Sequence, residues 1–160
     1  MNEESTLHNP ITLNATGTKY NAIAIAVQLT ELRKNASFFQ FDFMALKKEG
    51  YDIYKICREN DLEIILGLVA FRPSPGVLDC ANMETSNINK SGISLYGGTG
   101  KALVALCCLV SFNMGFECYI TFEAKNRLVP YYKRLGAVMV MGKRMAIATR
   151  EALKLVNLYF

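Results

Sequence analysis

The feature that most constrains this 160-residue chain is the run Gly100–Met114, fifteen residues with a single charge at Lys101. At helical pitch such a run presents no polar face, so it is stable only where other elements cover it all round. It is shorter than the roughly 18–20 apolar residues a membrane-crossing helix needs. It is therefore predicted to be a core helix, entered from the glycine-rich stretch Tyr96-Gly97-Gly98-Thr99-Gly100-Lys101 and capped by Gly115. A length near one typical domain and a 51% hydrophobic composition supply enough residues for a core around it.

The rest of the chain supplies the covering elements. Before the helix, Tyr51–Cys57, Glu63–Phe71 and Val77–Thr85 read as three strands. They are separated by Asn60-Asp61 and by Pro73-Ser74-Pro75-Gly76, which suggests an antiparallel meander. Upstream, residues 1–17 read as a leading segment with a short strand at Ile11–Leu13. Tyr20–Lys34 is predicted as a helix on the strength of QLTELRK, although its AIAIAV start alternates like a strand. Downstream, Cys118–Phe122 is a strand and Arg127–Leu135 a short helix. Val138–Met141 and Met145–Ala148 form a hairpin around Gly142, and Arg150–Tyr159 closes as a helix. The expectation is one domain over residues 1–160 of α/β (α+β) class. Its sheet is mixed, mostly antiparallel and twisted, with flanking helices and a central strand–Gly loop–helix–strand unit.

Scarcity excludes whole classes of chemistry. The only histidine is His8, so a Ser-His-Asp triad, a Cys-His pair or a multi-histidine metal site would all depend on it. Cys57, Cys80, Cys107, Cys108 and Cys118 include no CxxC pair, and their odd number fits reduced, buried thiols. Neither a metal site nor disulfides are expected. The acidic, polar start MNEEST shows no secretory signal, and no membrane segment is visible, so a cytoplasmic location is expected. Charge is uneven. Residues 1–80 hold 8 basic and 10 acidic side chains (8 − 10 = −2), and residues 81–160 hold 10 and 4 (10 − 4 = +6). The second half favours anions, whether cofactor phosphates or a nucleic-acid backbone. A solvated basic face is the plainer reading of charge alone. Phe38, Phe39, Phe41 and Phe43 beside Asp42 read either as core packing or as the lining of an acceptor groove.

The glycine stretch is a natural phosphate site, because a helix N-terminus offers unpaired N–H groups and glycines allow close approach. A tight turn without a ligand is the alternative. A Walker loop would need a small residue at Leu95 and Ser or Thr at Ala102, and a GxGxxG fingerprint fails at Leu103. The order Leu95-x-x-Gly98-x-Gly100 instead resembles the Q/R-x-x-G-x-G/A pyrophosphate loop of the GNAT superfamily, the acyl-CoA-dependent N-acetyltransferases. Lys125 to Ala137 resembles that superfamily's N-x6-Y-x-K-x-G-F motif, with Tyr132 four residues before Gly136. Leu95, Lys125 and Ala137 replace the usual Gln/Arg, Asn and aromatic residue, so at Leu95 only backbone groups would meet phosphate.

This resemblance implies direct acetyl transfer from acetyl-CoA, without a metal, to a primary amine. The amine would be on a small molecule, a peptide or an aminoacyl-tRNA, although no aromatic-basic pattern singles out RNA. It implies cofactor contacts from Met83, Thr85, Gly97, Gly98, Thr99, Gly100, Lys101, Lys125 and Asn126. It also implies Glu84 as a water-relayed general base and Tyr132 as general acid. A homodimer is compatible with it. The alternative function is a catalytically silent relative that binds CoA or a protein through the same groove.

Overall fold

The computed structural model describes residues 4–87 and 95–160. Nine strands form one sheet in the order β6-β1-β2-β3-β4-β5-β7-β9-β8. The chain opens with a hairpin, β1 (Ser5–Leu13) and β2 (Thr18–Ala26), turned at residues 14–17. Two short helices follow, α1 (Leu29–Asn35) and α2 (Phe43–Lys48), joined through a 3-10 turn at Ala36–Phe38. The meander continues through β3 (Asp52–Arg58), β4 (Gly67–Ser74) and β5 (Val77–Thr85). The two-residue β6 (Tyr96–Gly97) lies on β1, and α3 (Thr99–Asn113) starts directly after it. The remainder is β7 (Ile120–Glu123), a 3-10 turn at Asn126–Leu128, α4 (Val129–Arg134), the hairpin β8 (Val138–Met141) and β9 (Arg144–Ile147), and α5 (Thr149–Tyr159).

The expected central unit is present, and β5 pairs with β7 in parallel while the other pairings are antiparallel. Helix α3 is covered as its composition demands. From Ala102 to Cys108 no residue is more than 1% exposed. It lies against one face of the sheet with α5 alongside, and its side chains join Tyr54, Ile56, Val69, Phe71, Leu78 and Ile120 in the main core. Strand alternation sends Ile53, Leu68 and Ala70 to the opposite face, where Val27, Leu32 and Phe43 complete a smaller core under α1 and α2. All five cysteines are buried free thiols.

Two sequence expectations need correction. Tyr20–Lys34 is not one helix, because Thr18–Ala26 is a strand and only Leu29–Asn35 is helical. The AIAIAV alternation was the stronger signal, since it lets β2 pair with both β1 and β3. The leading segment holds a nine-residue strand rather than a three-residue one, and His8 sits exposed within it. Smaller shifts occur in β4. It begins at Gly67 rather than Glu63, and it includes Pro73, which lies beyond the last residue of β4 that β3 pairs with. The missing proline N–H therefore breaks no bond on that side.

Helix α1 is tied to the sheet by charge. Lys55, 7% exposed on the α1/α2 side of β3, donates to Glu31 Oε2 at 2.6 Å and to the Leu62 carbonyl at 2.9 Å. Removing one partner of a buried pair leaves the other charge uncompensated. Glu31 is itself partly exposed, so Glu31→Ala is expected to cost about 2 kcal/mol, below the full buried-pair range. Urea unfolding of the two proteins checks this.

Candidate active site

The parallel pairing of β5 with β7 lasts for only three residue pairs, Leu78 to Cys80 with Ile120 to Phe122. At that point β5 carries a bulge. Ala70 of β4 pairs with Asn82 and Phe71 with Cys80, which leaves Ala81 as the extra residue. A bulge bends its strand and sharpens the twist. Beyond it β5 continues with β4 alone to Thr85, while β7 ends at Glu123 and turns towards α4. The strands part, and the gap between them is a cleft of about 620 Å³. One wall is Asn82–Thr85 of β5, and the other is Phe122, Lys125, Arg127 and Leu128. Tyr132 of α4 and the Gln40–Phe41 loop complete it.

Tyr132 is held in this wall by aromatic packing. Its ring lies 4.7 Å from that of Phe122 and 5.2 Å from that of Tyr131. Burial, reinforced by Tyr131, Cys107 and Cys80, pushes its pKa up to about 12. The phenol is therefore fully protonated at neutral pH. Cys80 also lines the cleft, but its thiol is raised well above the ordinary value, first by its hydrogen bond with Cys107 and then by burial. A thiol held neutral in this way is a poor nucleophile.

Glu84 has a partner set that its position in the sequence did not reveal. Its side chain is buried at the end of β5, and the carboxylate accepts the Gln40 N–H (2.8 and 3.0 Å to its two oxygens) and the Phe41 N–H (2.9 Å). It thus fastens the loop between the 3-10 turn and α2 onto the open end of the sheet. Across the mouth, Lys125 Nζ stands 5.2 Å from the Phe41 ring centre. Gln40 and Arg127 are cleft residues that the sequence reading missed. Phe41 was named only within a phenylalanine cluster read as core or groove lining, which the structure divides. Phe43 is core, Phe41 faces the cleft, and Phe38 is exposed.

Of the residues expected to hold cofactor, Met83, Thr85 and Lys125 line the cleft. Gly97, Gly98, Thr99, Gly100, Lys101 and Asn126 do not. The glycine stretch lies at the N-terminus of α3, which abuts the sheet end through Thr99 and Gly67 and abuts α4 through Gly100 and Tyr131. Its first turn is closed by the Ala102 N–H donating to the Gly98 carbonyl.

The two glycines serve different ends. Gly98 caps the helix at φ +93, and a Cβ there would come 2.0 Å from the Pro10 carbonyl oxygen. That carbonyl is brought close by an irregularity in β1 around Asn9 (φ +55), where Leu7 and Ile11 pair out of register. At Gly100 a Cβ would meet the Tyr131 hydroxyl at 3.1 Å. A bulky residue at Gly100 therefore disturbs Tyr131 as well as any bound phosphate. Among the described residues no group of three or more metal-ligand side chains occurs, and no helix is long and apolar enough to cross a membrane.

Gly98→Ala is expected to cost more than 2 kcal/mol, from left-handed strain and the backbone clash. That corresponds to a melting midpoint about 5–10 °C lower. Gly100→Ala should be close to neutral, since only a side-chain hydroxyl has to move. Calorimetric melting of both variants separates the two roles.

No protein-family model matches the chain, and no curated protein sequence does. Solved structures do. The chain superposes on AtaTR bound with acetyl-CoA at a TM-score of 0.61 and 15% identity, covering 84% of this chain and 97% of that one. It superposes on an acetyltransferase from Desulfovibrio desulfuricans assigned to the GNAT family at 0.57 and 13%, covering 80% and 99%. With AtaT complexed with acetyl-methionyl-tRNAfMet the values are 0.59 and 13%, covering 84% and 98%. At these identities the likeness is one of fold, and the fold is that of the GNAT acetyltransferases.

Proposed function

We propose that this chain, built on the GNAT fold, is an acetyltransferase that moves the acetyl group of acetyl-CoA directly to a primary amine. The observation that carries the reading is the parting of β5 and β7 beside a phenol held protonated. An open strand edge suits the amide-bearing arm of coenzyme A. The leading amides of α3, with Lys101, suit its pyrophosphate. Lys125, on the cleft wall, and Asn126 beside it in sequence would take further phosphate contacts. The AtaT complexes with acetyl-CoA and with an acetylated aminoacyl-tRNA support the same assignment.

In this mechanism backbone N–H groups of Met83–Thr85 polarise the thioester carbonyl. The amine nitrogen bonds to the carbonyl carbon, and the C–S bond then breaks. Tyr132 Oη donates a hydrogen bond to the departing sulfur. A phenol near pKa 12 is a weaker acid than an ordinary thiol at about 8.5, so Tyr132 stabilises the sulfur more than it protonates it. The proton that ends on sulfur is the one the amine nitrogen loses on becoming an amide. No acyl-cysteine is invoked, because Cys80 is held as a neutral thiol.

Tyr132→Phe keeps the ring, so acetyl-CoA affinity by calorimetry should hold while kcat falls about 10²-fold, the low end for removing one hydrogen-bond donor to developing charge. Phenol ionisation should not depress the wild-type rate anywhere between pH 7 and 10. A basic limb with a midpoint below 10 would count against Tyr132. The sign for stability agrees. A tyrosine pKa raised in the fold leaves its contribution intact below about pH 10, the unfolded value, and removes it between there and about 12. A protein that binds acetyl-CoA but releases no thiol with any amine would instead be the silent relative.

Glu84 fills two roles in this reading. It positions the Gln40–Phe41 loop, and as a carboxylate beside the cleft it can take the amine's proton through water. Glu84→Gln separates them. Loss of base function is repaired at high pH, where the amine is already free, whereas loss of loop position raises the acceptor KM at every pH. Rates of thiol release from pH 6 to 10 decide between them.

An RNA-borne amine belongs beside small-molecule and peptide amines as a candidate acceptor. The basic second half places Lys125 and Arg127 on the cleft wall, and the AtaT complex with acetyl-methionyl-tRNAfMet supports the comparison. With such an acceptor the protein would bind tRNA with an affinity that falls steeply as salt rises, and Arg127→Glu should weaken it. Salt-independent or unchanged binding in a filter assay removes that acceptor class.

A further inference from the structure

Next to the cleft, and sharing Gln40 and Phe41 with it, lies a second cavity of about 290 Å³. Its floor is Leu32, Phe43 and Leu68, all buried, and its walls include Phe39, Phe41 and Met44. The rings of Phe39 and Phe41 stand edge-on to Phe43 at 5.8 and 6.4 Å, so the lining is packed into shape. The one charged side chain at its rim, Asp42, already accepts the Ala45 N–H as the cap of α2. Gln40 and Phe41 line both cavities, and the backbone of this shared wall is the part that Glu84 pins. The cavity is below the usual size for a whole ligand, about 300–1,000 Å³, but suits a substituent of one.

Resting on the acetyl-transfer reading above, we propose that this cavity is the side-chain pocket of the acceptor. The acceptor is then an α-amine whose neighbouring side chain is bulky and apolar: branched aliphatic, thioether or aromatic. With that side chain seated among Phe39, Phe41, Phe43 and Met44, the amine on the adjoining carbon stands at the rim that Gln40 and Phe41 share with the cleft. The phenylalanines of this segment thus select the acceptor as well as packing the smaller core. A small side chain fills little of it, and a cationic one meets an apolar lining whose single carboxylate, Asp42, lies at the rim and already caps α2.

The test uses amino-acid amides as acceptors for the full chain, with thiol release as the readout. Leucinamide and phenylalaninamide should exceed glycinamide in kcat/KM by roughly 10–200-fold, the range of apolar pocket discrimination, and lysinamide should not. Ala36, an exposed residue at the rim of the cavity, provides a filling variant. Ala36→Trp should cut the leucinamide advantage to within about threefold of glycinamide. Met44→Glu, which places a charge in the pocket, should do the same. Acetyl-CoA affinity, measured calorimetrically on each sample, verifies the fold. Turnover of all four amides within about threefold of one another would overturn the pocket and leave the acetyl-transfer reading standing. So would a leucinamide preference that survives both variants. Bound acetyl-CoA with no turnover of any amide would overturn the pocket as a site for free α-amines, and if no thiol is released with an aminoacyl-tRNA either, acetyl transfer falls with it.

Discussion

The working end of this molecule depends on how briefly two parallel strands stay together. Three residue pairs join β5 to β7, and the extra residue Ala81 then turns β5 away. Had the ladder run on to Thr85, its backbone groups would be consumed in the sheet and no cleft would exist. The pairing lasts long enough to bring β7, and behind it α4 with Tyr132, next to β5. Its early end lets the two strands diverge, and the cleft opens between them.

Helix α3 makes that arrangement rigid. Because it is apolar on every side, it has to be enclosed by the sheet and α5, and its enclosure fixes where its N-terminus emerges. Cys107 meets Cys80 at the floor of the cleft, and Gly100 meets Tyr131 of the neighbouring helix. The same packing that hides the thiols from chemistry also buries much of the Tyr132 side chain, and burial leads the causes of its raised pKa.

Much of this was legible in the sequence where a pattern had one physical solution. Val77–Thr85 has the same limits as the observed strand, and an apolar run between glycines could only be a buried helix. Legibility failed where two local signals competed, as in Tyr20–Lys34, because helix-forming residues at one end do not outweigh alternation that two neighbouring strands can satisfy. It failed also for Gln40, and it could not single out Phe41 within its cluster. Their place in the cleft comes from hydrogen bonds to a carboxylate 43 and 44 residues away in sequence, a relation that neither spacing nor composition records. The motif residues could be named from sequence, but the bulge and the Pro10 contact that position them could not.

The pairing of β6 with β1 has a consequence for how the chain reaches this state. Thr12 meets Gly97 and Leu13 meets Tyr96, so two short registers close a loop of more than eighty residues. Closing so long a loop costs entropy that two residue pairs cannot offset alone. Strands β1 to β5, each next to its neighbour in sequence, have no such obstacle and form a template first. Only on that template can the Pro10 carbonyl receive Gly98 and seat the first turn of α3. In kinetic terms, the helix end facing the cleft takes its position late in folding, after the sheet that supports it.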